Sequence, residues 1–181
     1  TYMGVSDVFR ADYSPTGGTN GSGPYLLYVG ARRGYKQFET LARAYGAWVG
    51  RHETDLVVVG GVWTAVELEL LGELGIGEKV RLLSGVDDAT LADLYRGSLA
   101  LVFPSLYEGF GIPIVEAMSV GCPVVASRIP TTEEVAGDVP IYFEPGGLES
   151  LHSALTTVAE GRRAEAKIRL GKQRAEQFSW E

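Results

Sequence analysis

The sequence predicts one α/β domain, a doubly wound parallel sheet of about six strands with helices on both faces. Three observations predict it. Short apolar runs rich in Val, Leu and Ile recur along the chain with little polar alternation, as strands buried on both faces do. Longer amphipathic stretches of helical length separate these runs. The two kinds alternate, which is how parallel strands joined by crossover helices read in a sequence.

Residues 14–24, Ser-Pro-Thr-Gly-Gly-Thr-Asn-Gly-Ser-Gly-Pro, form a turn-rich linker with nothing from which to build a core. Residues 1–24 are therefore set apart from a domain over 25–181. The first strand of that domain is Tyr25–Val29, followed by a helix over about 35–49. The apolar run Leu56–Val59 precedes a helix over about 62–74, and Val80–Leu83 precedes one over about 88–97. After Leu99–Phe103 a helix is expected over about 113–120, with Pro113 suited to its first position, where a missing N–H costs nothing. Val124–Ala126 leads to a short helix over about 131–136, and Ile141–Phe143 to one over about 148–160. The last helix, about 162–177, is rich in Ala, Arg, Lys, Glu and Gln, mostly good helix formers.

Composition excludes several function classes. With 181 residues, 45% hydrophobic and 22% charged, the chain can bury a core without disulfides or metals. Its formal net charge of −7 argues against a nucleic-acid partner, although a small local basic site for a phosphate is compatible with it. Cys122 is the one cysteine, so no internal disulfide or zinc-ligand spacing exists, and a reducing cytoplasm fits. No apolar run approaches the roughly 20 residues of a membrane span, and no signal-peptide pattern opens the chain. Thr1 is not a natural start, which predicts a chain cut from a longer protein.

In an open parallel sheet, ligands bind beyond the carboxyl ends of the strands. Two of the stretches there carry chemistry. Gly30-Ala31-Arg32-Arg33-Gly34-Tyr35-Lys36 combines glycines with three cations ahead of a helix N-terminus, an arrangement that favours an anion. It reads equally as a solvated basic turn, and it is no Walker loop. Nor is it the Gly-x-Gly-x-x-Gly of a dinucleotide oxidoreductase. The second stretch runs from Phe103 through Glu108-Gly109-Phe110-Gly111 to Glu116. A strand ends there, a glycine loop follows, and the start of a helix offers free N–H groups. Its two carboxylates suit a polyhydroxylated ligand, since each accepts hydrogen bonds from hydroxyls. The alternatives are a tight turn with a core phenylalanine, and a Glu116 that only offsets the helix dipole.

Seven residues separate Glu108 from Glu116, and the run around them resembles the Glu-x7-Glu signature of family 4 glycosyltransferases. The likeness continues through Ala117-Met118 to Gly121-Cys122-Pro123-Val124-Val125 and takes in Tyr28-Val29-Gly30, Lys36-Gln37-Phe38, Leu56–Gly61, Asp93-Leu94-Tyr95 and Glu133–Asp138. Thr1–Asp12 is similar to the segment joining the two domains of those enzymes, and Phe178-Ser179-Trp180 to the segment before their last helix.

The resemblance implies the Rossmann-like C-terminal half of a two-domain GT-B fold, with the N-terminal acceptor domain absent from this chain. It implies a retaining enzyme that takes a hexose from a UDP- or GDP-sugar and passes it to a hydroxyl of a lipid-linked acceptor or a growing glycan. The implied setting is cytoplasmic, with the full-length parent peripheral at the membrane. No metal or other cofactor is implied. Residue by residue, Lys36 matches the lysine on the diphosphate, and Arg32 and Arg33 both qualify as its arginine partner, with Arg32 preferred. Gly30 belongs to the same loop. Glu116 matches the glutamate on the ribose hydroxyls, and Glu108 the one near the donor sugar. Gly109, Phe110, Gly111 and Ile112 match the loop whose amides meet sugar and phosphate, and Val86 falls in the region lining the base. An isolated donor half is expected to bind nucleotide without transferring sugar. Lone residues get a plain reading: His52 and His152 as surface or cap histidines, Cys122 and Trp48 as core.

Overall fold

The structure, a computed structural model, describes Phe9, residues 23–161 and residues 164–178. The expected linker up to residue 22, the segment likened to an interdomain connection (Phe9 apart) and the chain after Phe178 lie outside these residues. The strands are β1 (Tyr25–Val29), β2 (Asp55–Val59), β3 (Val80–Leu83), β4 (Ala100–Phe103), β5 (Val124–Ser127) and β6 (Ile141–Phe143). The helices are α1 (Phe38–Ala47), α2 (Ala65–Glu73), α3 (Asp88–Gly97), α4 (Ile112–Val120), α5 (Pro130–Ala136), α6 (Leu148–Ala159) and α7 (Ala164–Ala175). Every described strand pairing is parallel, in the order β3-β2-β1-β4-β5-β6. The predicted Rossmann-like, doubly wound α/β fold is what the chain adopts.

Alternation along the buried strands feeds two cores. Tyr25 and Leu27 of β1, Leu101 and Phe103 of β4, and Val124 and Ala126 of β5 pack with residues of α3, α4 and α5. Leu26, Tyr28, Val102 and Val125 face the other way, against Phe38, Leu41 and Tyr45 of α1 and Leu151 and Leu155 of α6. Trp48 and Cys122 are buried, as expected.

The starts of α1, α2 and α4 differ from expectation for local reasons, whereas α3 and α6 begin where expected, at Asp88 and Leu148. α1 begins at Phe38 because Gly34–Lys36 forms a short 3-10 turn and Gln37 takes a left-handed conformation, φ 53°. α2 begins at Ala65 because Thr64 caps it: the Thr64 hydroxyl accepts from the Glu67 amide while the Glu67 carboxylate accepts from the Thr64 amide. α4 begins one residue early, at Ile112, so Pro113 is its second residue. Gly111 ahead of it has φ 86°, a left-handed conformation that costs any residue with a Cβ about 1–2 kcal/mol. Among the described residues no helix is long and apolar enough to cross a membrane.

The order of the sheet positions the site. The order of winding reverses between β1 and β4, the two innermost strands, so the loops after them leave the sheet side by side at the switch point, where open parallel sheets bind their ligands.

Candidate functional site

Backbone and side-chain bonds tie the loops at the carboxyl ends into one rim. Gly30 N–H donates to Val59 O at 2.9 Å, and Gly60 N–H to Leu83 O at 3.0 Å, which joins the β1, β2 and β3 ends. Tyr28 hydroxyl donates to Ala31 O at 2.6 Å and fixes the start of the β1 loop. Across the switch point, Leu106 N–H donates to Tyr35 O at 2.8 Å. On the far side, the Thr131 hydroxyl holds Glu108 O at 2.9 Å.

Lys36 and Glu108 meet across that switch point. Lys36 Nζ lies 2.6 Å from Glu108 Oε1, and the side chains are 21% and 10% exposed. A nearly buried carboxylate beside a cation still open to solvent leaves the ammonium free to take a second anion, since Lys has three donors.

Arg32 is engaged elsewhere. Its Nε donates to Glu67 Oε1 at 2.8 Å, and Nη2 donates to the carbonyls of Gly61 and Val62 at 2.8 and 2.7 Å. The guanidinium lies 4.6 Å from the centre of the Trp63 ring. Partial burial pushes the Glu67 carboxyl up, but hydrogen bonds from Arg32 and Thr64 outweigh it and hold the group below its ordinary value. Arg33, the next residue, is exposed at the start of the 3-10 turn.

Glu116 sits in the second turn of α4, beyond the first-turn positions where a carboxylate best offsets a helix dipole. Tyr95 of α3, buried, donates its hydroxyl to Glu116 Oε2 at 3.0 Å. Burial pushes the Glu116 carboxyl above its ordinary 4.5, with Asp88 adding to the rise and the Tyr95 hydrogen bond opposing it. A carboxyl raised in the folded state binds protons more readily there, so its charge costs stability once pH rises through the raised value. Glu116→Gln is therefore expected to raise the melting temperature at pH 7–8. The gain should fade as pH falls toward 4.5. Melting curves across pH check this, and a Glu116→Gln domain less stable than wild type at neutral pH would restore the dipole reading.

Gly109 and Phe110 continue the β4 loop. The Phe110 ring packs edge-on against Phe178 at 5.6 Å and lies on the core, so the core-phenylalanine reading holds for its side chain and only its backbone faces the site question. Gly111 and Ile112 stand at the start of α4, where the first amides have no carbonyl one turn earlier to bond; Pro113 has no N–H, and the Ile114 amide donates to Gly111 O at 2.9 Å. Val86 lies in the β3 loop, half-buried against the core. The structure thus brings Lys36, Glu108 and the α4 start together. It places Arg32 against the β2 loop instead.

The family model described as glycosyl transferases group 1 matches residues 9–176. The chain belongs to this family. An O-antigen chain mannosyltransferase B of Escherichia coli is 35% identical over 162 residues, covering 87% of this chain and 42% of the relative. An MMP alpha-(1->4)-mannosyltransferase of Mycolicibacterium hassiacum is 37% identical over 118 residues, 62% of this chain and 29% of that protein. The chain spans less than half the length of both. Among solved structures, WaaG, a glycosyltransferase involved in lipopolysaccharide biosynthesis, superposes with a TM-score of 0.82 at 23% identity over 97% of this chain and 51% of that one. A sucrose-phosphate synthase from Thermosynechococcus elongatus gives 0.79 at 26% identity, over 99% and 46%.

Of the group 1 glycosyltransferase residues now seen around the site, Glu67, Trp63 and Tyr95 escaped sequence reasoning. Glu67 had a signal, since Thr64-x-x-Glu67 is a capping-box pattern. Tyr95 stands in the matched run Asp93-Leu94-Tyr95, but nothing local marks its hydroxyl as the partner of Glu116, which lies on another helix 21 residues away.

Proposed function

We propose that this chain is the donor-binding half of a family 4-type, GT-B, retaining glycosyltransferase, and that its parent passes a hexose from a UDP- or GDP-sugar to a hydroxyl acceptor. The observation that carries the reading is the 2.6 Å meeting of Lys36 and Glu108 across the switch point, with Glu108 in the loop that leads into α4. Cation and helix N-terminus there suit the diphosphate of such a ligand, and the carboxylate suits its sugar hydroxyls. The names of the two relatives favour a mannosyl donor.

In the proposed reaction the bond from the anomeric carbon to the diphosphate oxygen breaks, and its electron pair leaves with the nucleoside diphosphate. The acceptor hydroxyl bonds to the same carbon on the same face and passes its proton to the leaving phosphate. Lys36, with one of the two arginines, offsets the charge that develops on the leaving group without a metal. Glu116 accepts from ribose hydroxyls, and the Val86 loop lines the base. Glu108, already bonded to Lys36, acts on the sugar hydroxyls and not as a covalent nucleophile. The acceptor, a lipid-linked or growing glycan, would sit on the part of such an enzyme that lies outside the length this chain spans in its relatives, with the parent in the cytoplasm.

Calorimetry on this chain with UDP, GDP, ADP and NAD tests the reading. A nucleoside diphosphate should bind weakly and NAD should not. Preferential NAD binding would overturn it.

A further inference from the structure

Resting on the donor-binding reading, we infer that Glu67 is a positioning residue: it holds Arg32 as a brace between the β1 and β2 loops, and so assigns the diphosphate to Arg33 and Lys36. Arg32 has the charge a diphosphate needs but not the freedom. Its side chain is 5% exposed, and Glu67 grips it through both oxygens, at 2.8 Å from Nε and 3.2 Å from Nη2. Gly61 and Val62 carbonyls take the rest of Nη2, and the guanidinium plane lies over Trp63. Nη1 is buried with no hydrogen-bond partner, wedged so close to Gly60 that a Cβ there would lie 2.8 Å from it. Turning this side chain toward a ligand would break every one of these bonds and strand the Glu67 carboxylate, 15% exposed, without its cation. The same carboxylate also accepts from the Thr64 amide at 2.7 Å. One acid thus fixes the start of α2 and, through Arg32, the loop that carries Arg33 and Lys36.

Glu67→Gln separates the two possible jobs of Arg32 because they predict opposite signs. Gln keeps the size and an acceptor but removes the charge that restrains the guanidinium. If Arg32 is a brace, the loop slackens. UDP and GDP binding should then weaken about tenfold, the scale of one hydrogen bond to a charged group, while uridine and guanosine bind unchanged. If Arg32 is itself a phosphate ligand held back by Glu67, the freed charge should tighten the diphosphates, and that result overturns the inference. Thr64→Ala is the control for a purely structural role. It removes the hydroxyl half of the capping box and leaves Arg32 and Glu67 paired, so it should lower the melting temperature and spare diphosphate affinity. Equal diphosphate loss in Thr64→Ala and Glu67→Gln would also overturn the inference. Should Glu67→Gln not fold, Arg32→Lys, which keeps the charge and loses the fork, should show the same phosphate-specific loss; undiminished binding there counts against the brace. A wild-type chain that binds no nucleoside diphosphate at all would overturn the donor reading itself, and this inference with it.

Discussion

Lys36→Ala is expected to weaken nucleoside diphosphate binding by about 1–3 kcal/mol, the scale of a charge-assisted hydrogen bond, or roughly 5- to 150-fold in Kd. Two effects add. On the proposed reading the ammonium would no longer meet the phosphate, and nothing would then stand between the phosphate and the Glu108 carboxylate, which is 10% exposed and lies 2.6 Å from Lys36 in the wild type. Removing one member of a partly buried ion pair also destabilises the fold, because the remaining charge keeps its desolvation cost. Binding must therefore be compared with the free nucleoside, at a temperature well below both melting transitions. UDP or GDP should lose affinity while uridine or guanosine holds. Equal loss for both ligands would show that Lys36 only holds the β4 loop in place.

Gly60→Ala is expected to cost about 1–3 kcal/mol of stability, the usual penalty for overpacking a close-packed site. A Cβ at this position would lie 2.7 Å from Gly30 O and 2.8 Å from Arg32 Nη1. Neither neighbour can give way easily. Gly30 is pinned by its bond to Val59 O, and Arg32 by its bonds to Glu67, Gly61 and Val62. For a domain of this size the melting temperature should fall by about 2–4 °C per kcal/mol. Gly61→Ala is the paired control, since a Cβ there meets nothing within 4 Å. It should change stability by no more than about 0.5 kcal/mol. Thermal unfolding followed by circular dichroism distinguishes the two, and identical melting of both variants would show that the β1 and β2 ends can part without cost.

Both predictions depend on contacts that cross loops, and this is where reading the sequence stopped. Tyr25–Val29 and Leu56–Val59 could be recognised as strands because burial on both faces leaves a local mark, an unbroken apolar run. The helix over about 62–74 is legible in periodicity, but its start at Ala65 is marked only by the Thr64-x-x-Glu67 capping box, which periodicity does not carry. The basic loop and the Glu108–Glu116 spacing were visible as residue types at the right ends of strands, with their bland alternatives still standing. For Glu116 the structure weighs against the bland alternative, because the residue lies past the first turn of α4 and burial raises its carboxyl.

By itself, then, the sequence determined which segments are strands and helices, that the sheet is parallel and wound on both sides, and which loops gather at its carboxyl end. These follow from hydrophobic periodicity, and periodicity is local. Only the tertiary structure decided that Lys36 meets Glu108 from 72 residues away, that Tyr95 reaches Glu116, and that of two adjacent arginines Arg32 turns to Glu67, 35 residues on, while Arg33 stays exposed. Arg32 and Arg33 are chemically identical, and what separates them is the partner that each backbone position can reach once the β1 and β2 ends lie side by side, which no local pattern encodes.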